Sequence, residues 1–426
     1  MNRLITLIVI VPLFLVADAF AAEPRWWKGN LHTHSLWSDG DDYPEMIAEW
    51  YKTNGYNFLA LSDHNVVLEG EKWITITNNK GGKGAFGEYL KRFGDEWVET
   101  RTVLRVEKVR LKTLKEFRKL LEERDRFLMI PSEEISDDFG KKPIHLNATN
   151  LRKLIKPQGG TNVLDVMQRN VDAVFEQRKQ TRQPMFPHIN HPNFQWALTV
   201  EELMQVKNDR FYEVYNGHPA VHNEGTSNRM STERMWDVAL AFRLTSLDLG
   251  ALYGMAVDDS HEYHRWATNR VNPGRGWVMV RARRLQPNAL ITAMEAGDFY
   301  ASTGVRLKDV RREHNHLAVD VDAEEGVTYK IQFIGTRHGF DPTGRPGPAT
   351  KPNALASSRI YSPQIGEVLA EMTGTSAVYT LDGDEIYVRA KIISSKPKSN
   401  GYHGDEMEVA WTQPLMPPKS AQAKAR

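Results

Sequence analysis

His32 and His34 stand two apart in "NLHTHSLWSDG", and Asp259 and His261 stand two apart in "DDSH". Side chains on an extended strand project to the same side at every second residue, so each pair offers two donors to one region without any loop folding back. Between the pairs lie His64 in "SDHN", Glu134 in "EEIS", His145 in "IHLN" and His191 in "NHPN", while Asp39 follows the first pair closely. Imidazole and carboxylate in a chain with no cysteine suit zinc, manganese or iron. The donors outnumber the positions around one ion, and sharing them among neighbouring ions is the usual way to build a multinuclear hydrolytic centre. Each motif alone has a plainer reading: strand histidines often bond backbone carbonyls, and "SDHN" or "NHPN" alone reads as a turn. Their concurrence at strand ends carries the metal reading. His188, Asp63 and Glu133 have better-placed neighbours and read as supporting residues.

The elements that must position these groups follow from periodicity. Strand-like runs "WWKGNLHTHS", "FLALSDHN", "FLMIPSEEIS", "IHLNATN", "MFPHINHP", "FYEVYNG" and "GMAVDDSH" are interspersed with helix-like stretches. The first helix, in "YPEMIAEWYKTNG", carries Ile47, Trp50 and Tyr51 at helical spacing, with Gly55 as its stop. Thr113 and Glu116 form a capping box for another, and helices are expected over about 163–180 and near 230–242. Such alternation implies parallel strands joined by helical crossovers, and sites in those architectures sit at the C-terminal strand edge. If the strands close into a barrel, the first and last become neighbours, and the two paired motifs meet across the seam. Residues 66–110, rich in glycine and aromatics including Trp73 and Trp97, read as an insertion and a candidate substrate lid. Packing onto the core is the plainer role for most of those aromatics. Short alternating strands from about Val305 predict a small β-sandwich to about residue 415, followed by a disordered tail, 416–426.

The chain has 426 residues and a formal net charge of +1, which suits a large α/β domain over 22–304 plus the smaller β domain over 305–415. That balance supplies no global field to recruit nucleic acid or an anionic membrane, so a small-molecule substrate is the expected partner. The opening "MNRLITLIVIVPLFLVADAFAAEP" has Arg3, an apolar run and the small-x-small triplet Ala19-Phe20-Ala21. It reads as a secretory signal over residues 1–21, making the expected location periplasmic or extracellular.

The ordered motifs "HTHSLWSDG", "SDHN", "EEIS", "IHLN", "NHP" and "DDSH" resemble those of the PHP domain, the polymerase and histidinol phosphatase superfamily, over roughly residues 26–265. The resemblance implies an α/β fold, a distorted (β/α)7 barrel of TIM-like type, with two to three divalent metal ions at the C-terminal strand edge. It would place His32, His34, Glu134 and Asp259 on a first ion. Glu134 would bridge to a second, completed by His145 and His191, and Asp39, His64 and His261 would hold the third. Glu133 competes with Glu134 for the bridge; Glu134 is chosen because it precedes Ile135 and Ser136 as the family's glutamate precedes an apolar residue and then Ser or Thr. Gly40 is expected to permit the turn that carries Asp39 over the site. The region after "SDHN", the "EVYNG" stretch and "GRGWVMVRARRLQPNALITAMEAGDFYASTG" are similar to the group that includes carbaryl hydrolase.

The reaction these readings imply is hydrolysis by metal-bound hydroxide of a phosphoester, with a carbamate, ester or amide as the alternative. Arg270 and Arg275 are candidates for phosphoryl oxygens, with surface salt bridges as their plainer role. His218 and His222 are candidates to protonate a leaving group or, more plainly, solvent-facing residues. Two other functions compete: a binding protein that kept the scaffold without turnover, its β domain engaging a polymer or glycan, and a nuclease.

Overall fold

The computed structural model describes residues 23–347 and 358–418. The expected signal segment and residues 419–426 of the expected tail lie outside the described residues. The first part of the chain runs β1 (Arg25–Asn30), α1 (Pro44–Thr53), β2 (Phe58–Leu61), β3 (Lys72–Thr75), α2 (Gly82–Phe93), β4 (Thr100–Val103), β5 (Val106–Leu111) and α3 (Leu114–Leu121). Next come β6 (Leu128–Phe139), β7 (Lys142–Thr149), α4 (Val163–Thr181), β8 (Phe186–Ile189), α5 (Val200–Leu203), β9 (Phe211–Asn216), α6 (Thr232–Thr245) and β10 (Tyr253–Val257). The chain continues through β11 (Trp277–Ala282), α7 (Pro287–Glu295), β12 (Phe299–Ser302), β13 (Leu307–Glu313), β14 (His316–Val321) and β15 (Tyr329–Arg337). It ends with β16 (Glu367–Thr373), β17 (Ser376–Thr380), β18 (Glu385–Pro397) and β19 (Met407–Thr412).

Local sequence accounts for the helix that follows the first motif. Pro44 occupies the first turn of α1, where its missing N–H costs nothing, and Ile47, Ala48 and Tyr51 bury one face. Gly55, at φ +77, takes the left-handed conformation just past the helix end. The capping box of Thr113 and Glu116 opens α3 as expected.

The large sheet is mixed, with strand order β10-β9-β8-β7-β6-β2-β1-β11-β12-β19-β18-β15-β16. β1, β2 and β6 pair in parallel, as do β8, β9 and β10. The all-parallel expectation fails at β7, which runs antiparallel to both β6 and β8. Only Gly140 and Lys141 separate β6 from β7, and a connection that short can form only a hairpin. The strands do not close into a barrel through a continuous ladder. β1 has two edges, and β2 and β11 occupy them. Only the chain beyond Asn30 reaches β10's extension, through a single Thr33–Ser260 bridge flanked by Asp259 N–H donating to His32 O at 3.0 Å and His34 N–H donating to Ser260 O at 2.9 Å.

The strands beyond residue 305 lie in two sheets, one of which continues the main sheet. β15, β16, β18 and β19 extend the main sheet through β12, while β13, β14 and β17 form a three-stranded sheet. Leu317 and Val319 of that small sheet share a core with Ile331, Phe333, Val388 and Ile392. Residues 66–110 form the sheet β3-β5-β4 and α2. Ala85, Tyr89, Phe93 and Trp97 from this stretch pack with α1 and α3. Among the described residues no helix is long and apolar enough to cross a membrane.

Candidate metal centre

His32, His34, Asp39, His64, Glu134, His145, His191, Asp259 and His261 arrive from six separate chain segments at one edge of the sheet, and their donor atoms fall into contiguous groups. His32 and His34 lie just beyond β1 and are fully buried. His64 follows β2, Glu134 lies on β6, His191 follows β8, and Asp259 and His261 follow β10. His145 lies in the first half of β7. Because β7 is reversed, that half shares the edge with the ends of its parallel neighbours. A cavity of about 460 Å³ opens over the group, lined by seven of these residues together with Lys80, Phe194 and His218.

Three sets of donors can be distinguished. In the first, His32 Nε2 and His34 Nε2 are 3.1 Å apart, each 3.2 Å from Asp259 Oδ1, and 3.5 and 3.4 Å from the two oxygens of Glu134. In the second, Glu134 Oε1 lies 3.0 Å from His145 Nδ1 and 3.4 Å from His191 Nε2. In the third, Asp39 Oδ1 lies 3.3 Å from His261 Nε2 and 3.6 Å from His64 Nε2. Ligands about 2.1 Å from a shared ion are spaced roughly 3.0–3.4 Å apart around it, so most of these separations suit polyhedron edges better than hydrogen bonds.

Ring orientation gives a second test of fit. His32 Nδ1 is 2.6 Å from Glu213 Oε1 and His261 Nδ1 is 2.8 Å from the Asp259 carbonyl oxygen, whereas His64 Nδ1 lies between Ser136 Oγ at 2.5 Å and Glu134 Oε2 at 2.7 Å. An imidazole that donates its Nδ1–H backwards presents the Nε2 lone pair forwards, as an ion ligand must. Glu134 Oε2 and His145 Nδ1 are buried and make close ionic contacts, at 2.7 Å to His64 Nδ1 and 3.0 Å to Glu134 Oε1, but no well-aligned hydrogen bond, as donors grouped around an ion would. The donor set therefore fits divalent cations.

Within the cluster, imidazoles and carboxylates hold one another's charge: despite burial, the nearby carboxylates push His32, His64, His191 and His261 up. Burial opposes the charge on Glu134, but His64, His145 and His32 outweigh it and hold the carboxyl well below the usual range. Burial, with His261 and His64 nearby, pushes His34 down to about 3 and keeps it neutral. Glu213 is buried too, yet His32 and His188 hold it down to about 2.

Sequence reasoning did not single out Glu213, although a carboxylate inside "FYEVYN" is a visible anomaly in an apolar strand. Nor did it find Asn190, whose Nδ2 donates to Glu134 Oε1 at 2.7 Å, or Lys80, whose Nζ lies 3.2 Å from Asp39 Oδ2. No local pattern marks either residue. The supporting residues are placed as follows: Asp63 accepts from Ser35 and Ser38, His188 Nε2 lies 3.3 Å from Glu213, and Glu133 faces away to accept the Ile155 N–H at 2.7 Å.

Other candidates fall outside the site. Arg275 is fully buried and donates to the carbonyls of Gly217, Ala267 and Asn400, while Arg270 pairs with Glu262 at 2.7 Å. His222 stacks on Trp196 with ring centroids 4.7 Å apart. Neither Trp73 nor Trp97 lines the cavity; Trp97 Nε1 donates to Glu45 at 2.9 Å, and Arg101 covers Trp73. Gly40 is required for a different reason from the one expected. Its φ is not left-handed, but a Cβ there would lie 2.5 Å from the His34 carbonyl oxygen.

No protein-family model matches the chain, and no curated protein matches it in sequence. Several solved structures are similar to the chain at low sequence identity. One is a two-domain protein containing a predicted PHP-like metal-dependent phosphoesterase from Bacteroides vulgatus. It is 14% identical, with 92% of this chain and 96% of that chain covered, at a TM-score of 0.38. Another is an amidohydrolase from Chromobacterium violaceum with bound sulfate and no metal. It is 12% identical, with 55% of this chain and 88% of that chain covered, at a TM-score of 0.26.

Proposed function

We propose that the chain is an exported PHP-type hydrolase that holds two to three divalent ions and cleaves a phosphoester. Under this reading the strands from β1 to β10 act as a distorted barrel whose seam is the Thr33–Ser260 bridge, and the strands after residue 305 form an accessory domain. The observation that carries it is the convergence of these imidazoles and carboxylates in one cluster, with His32 and His261 each braced through Nδ1 and their Nε2 turned toward a carboxylate of the cluster.

Bound ions supply concentrated positive charge that polarises the scissile group and acidifies water. The polypeptide supplies the rest. Glu134 stands between two donor sets, with Oε1 beside His32, His145 and His191 and Oε2 beside His34, and Glu213 fixes the His32 ring. The buried floor of His32 and His34 excludes bulk solvent, which strengthens every charge interaction above it. Lys80 extends from the insertion to the rim, where it can meet an anionic substrate oxygen.

One observation favours the second reading, a carbamate, ester or amide substrate like those of the carbaryl hydrolase group. Lys80 is the one lysine or arginine lining the cavity among the described residues, and it already faces Asp39. A phosphoryl group would have to rely on the ions and on uncharged donors. The deciding experiment is turnover of p-nitrophenyl phosphate, bis(p-nitrophenyl) phosphate, a naphthyl carbamate and p-nitrophenyl acetate by protein reconstituted with zinc, manganese or iron. Preference for the phosphates supports the first reading, and preference for the carbamate or acetate supports the second. No turnover with any metal would sink both and favour a binding role. Secretion of a reporter fused to residues 1–30 tests export.

A further inference from the structure

His218 lines the cavity but belongs to none of the donor sets. Its position is fixed from both sides: the His218 N–H donates to Asn216 Oδ1 at 2.8 Å, and its carbonyl accepts the Val221 N–H at 3.1 Å. The ring stands edge-on to Phe194 and His261, with centroids 5.7 and 5.9 Å apart. Nδ1 faces the backbone N–H of Ala220 at 3.0 Å.

That contact decides the tautomer. A backbone N–H can only donate, so Nδ1 must present its lone pair and the ring proton must sit on Nε2. His32 and His261 have the opposite arrangement, with Nδ1 turned to an acceptor and Nε2 free to ligate. An Nε2 that carries hydrogen cannot bind an ion, but it can donate a hydrogen bond. Protonation of Nδ1, which a proton-donating imidazolium would need, is opposed by the Ala220 N–H pointing at the same atom.

Building on the hydrolase reading, we propose that His218 is a neutral hydrogen-bond donor to the substrate's phosphoryl or carbonyl oxygen, and neither an ion ligand nor a proton source. The proton stays on Nε2 throughout. The bond it makes strengthens as negative charge accumulates on the oxygen, which is how a preorganised donor lowers a barrier. It also provides an uncharged contact in a cavity that has few cationic side chains.

The test combines two readouts on metal-loaded protein. Two-bond proton–nitrogen NMR of nitrogen-15 histidine reports the tautomer, with His218 assigned by its absence in His218→Gln. Calorimetry with inorganic phosphate reports the donor in wild type, His218→Gln, which retains an amide donor near the Nε2 position, and His218→Phe, which has none. The expected result is an Nε2–H tautomer, unchanged ion content, phosphate affinity within threefold in His218→Gln and weakened at least tenfold in His218→Phe. An Nδ1–H tautomer, loss of an ion in either variant, equal affinity in His218→Phe, or wild type that binds no phosphate would each overturn the proposal. The two hypotheses separate cleanly. Phosphate binding that depends on His218 without turnover of any ester sinks the hydrolase and supports the donor, whereas turnover that His218→Phe leaves unchanged sinks the donor alone.

Discussion

At the scale of single residues, the candidate centre depends as much on what stands behind the candidate ligands as on those residues themselves. Glu213 accepts from His32 Nδ1, His191 N–H and Asn216 Nδ2, so one buried carboxylate orients two candidate ligands and a neighbouring amide. Glu213→Gln should leave the fold intact by circular dichroism yet weaken metal affinity, or activity, by about 10–100-fold. Metal titration checks it, and unchanged affinity would show that the His32 ring is held by packing alone. Strain marks the same neighbourhood: Asp259 at φ +50 and His191 at φ +20 occupy backbone regions that residues other than glycine rarely adopt. The motifs "DDSH" and "NHPN" offer the candidate donors, but nothing in them reveals that the backbone bends this way at Asp259 and His191.

At the scale of elements, two short segments show how backbone and burial set the site. The turn from His34 to Gly40 closes through Gly40 N–H donating to Ser35 O at 2.9 Å, and the close approach of Gly40 to the His34 carbonyl leaves no room for a side chain. Gly40→Ala should shift Asp39 and cost the third donor set its ion, with the other sets still filled; elemental analysis per folded chain tests this. The segment entering β9 carries a different signal. Burial raises Asp209 to about 7 against the pull of Arg243, so the native chain holds that proton more tightly than the unfolded chain does. The stability contribution is complete below the ordinary aspartate pKa and disappears as pH rises through about 7. Asp209→Asn should therefore be more stable than wild type at pH 8, by on the order of 2–4 kcal/mol, with the gap narrowing toward pH 5. Urea denaturation at both pH values measures it. Coincident midpoints at pH 8 would mean that Asp209 is solvated.

At the scale of the whole molecule, the C-terminal β region is tied to the α/β part by charge as well as by the continuous sheet. Arg389 of β18 donates to both oxygens of Asp237 on α6, at 2.8 and 2.7 Å, and to Glu233 at 3.0 Å, almost wholly buried. Removing one partner of such a pair strands the other, so Arg389→Ala should cost about 3–5 kcal/mol. Calorimetry should show the entire transition moving down, and a split into two transitions would indicate independent units. Chelation should also destabilise the molecule globally. Ions that bind only the native state contribute about 4 kcal/mol at a thousandfold excess over Kd, so EDTA should lower Tm and added zinc or manganese restore it. A Tm indifferent to chelator would argue against resident metal.

How much was legible depended on the range of the cause. The candidate donors, the α1 stop at Gly55 and the α3 capping box could be read locally, because side-chain type, strand period and turn chemistry act over a few residues. The reversal of β7 has a local cause as well, the two-residue link at Gly140 and Lys141 that forces a hairpin, but an alternation of strand and helix patterns carries no sign of strand direction. Only tertiary structure could show that β11 occupies the edge of β1 and reduces the β1–β10 seam to one bridge, or bring Lys80 to Asp39 and Glu213 to His32. Those contacts join residues far apart along the chain, and their distances depend on how sheets and helices pack, which no short stretch of sequence encodes.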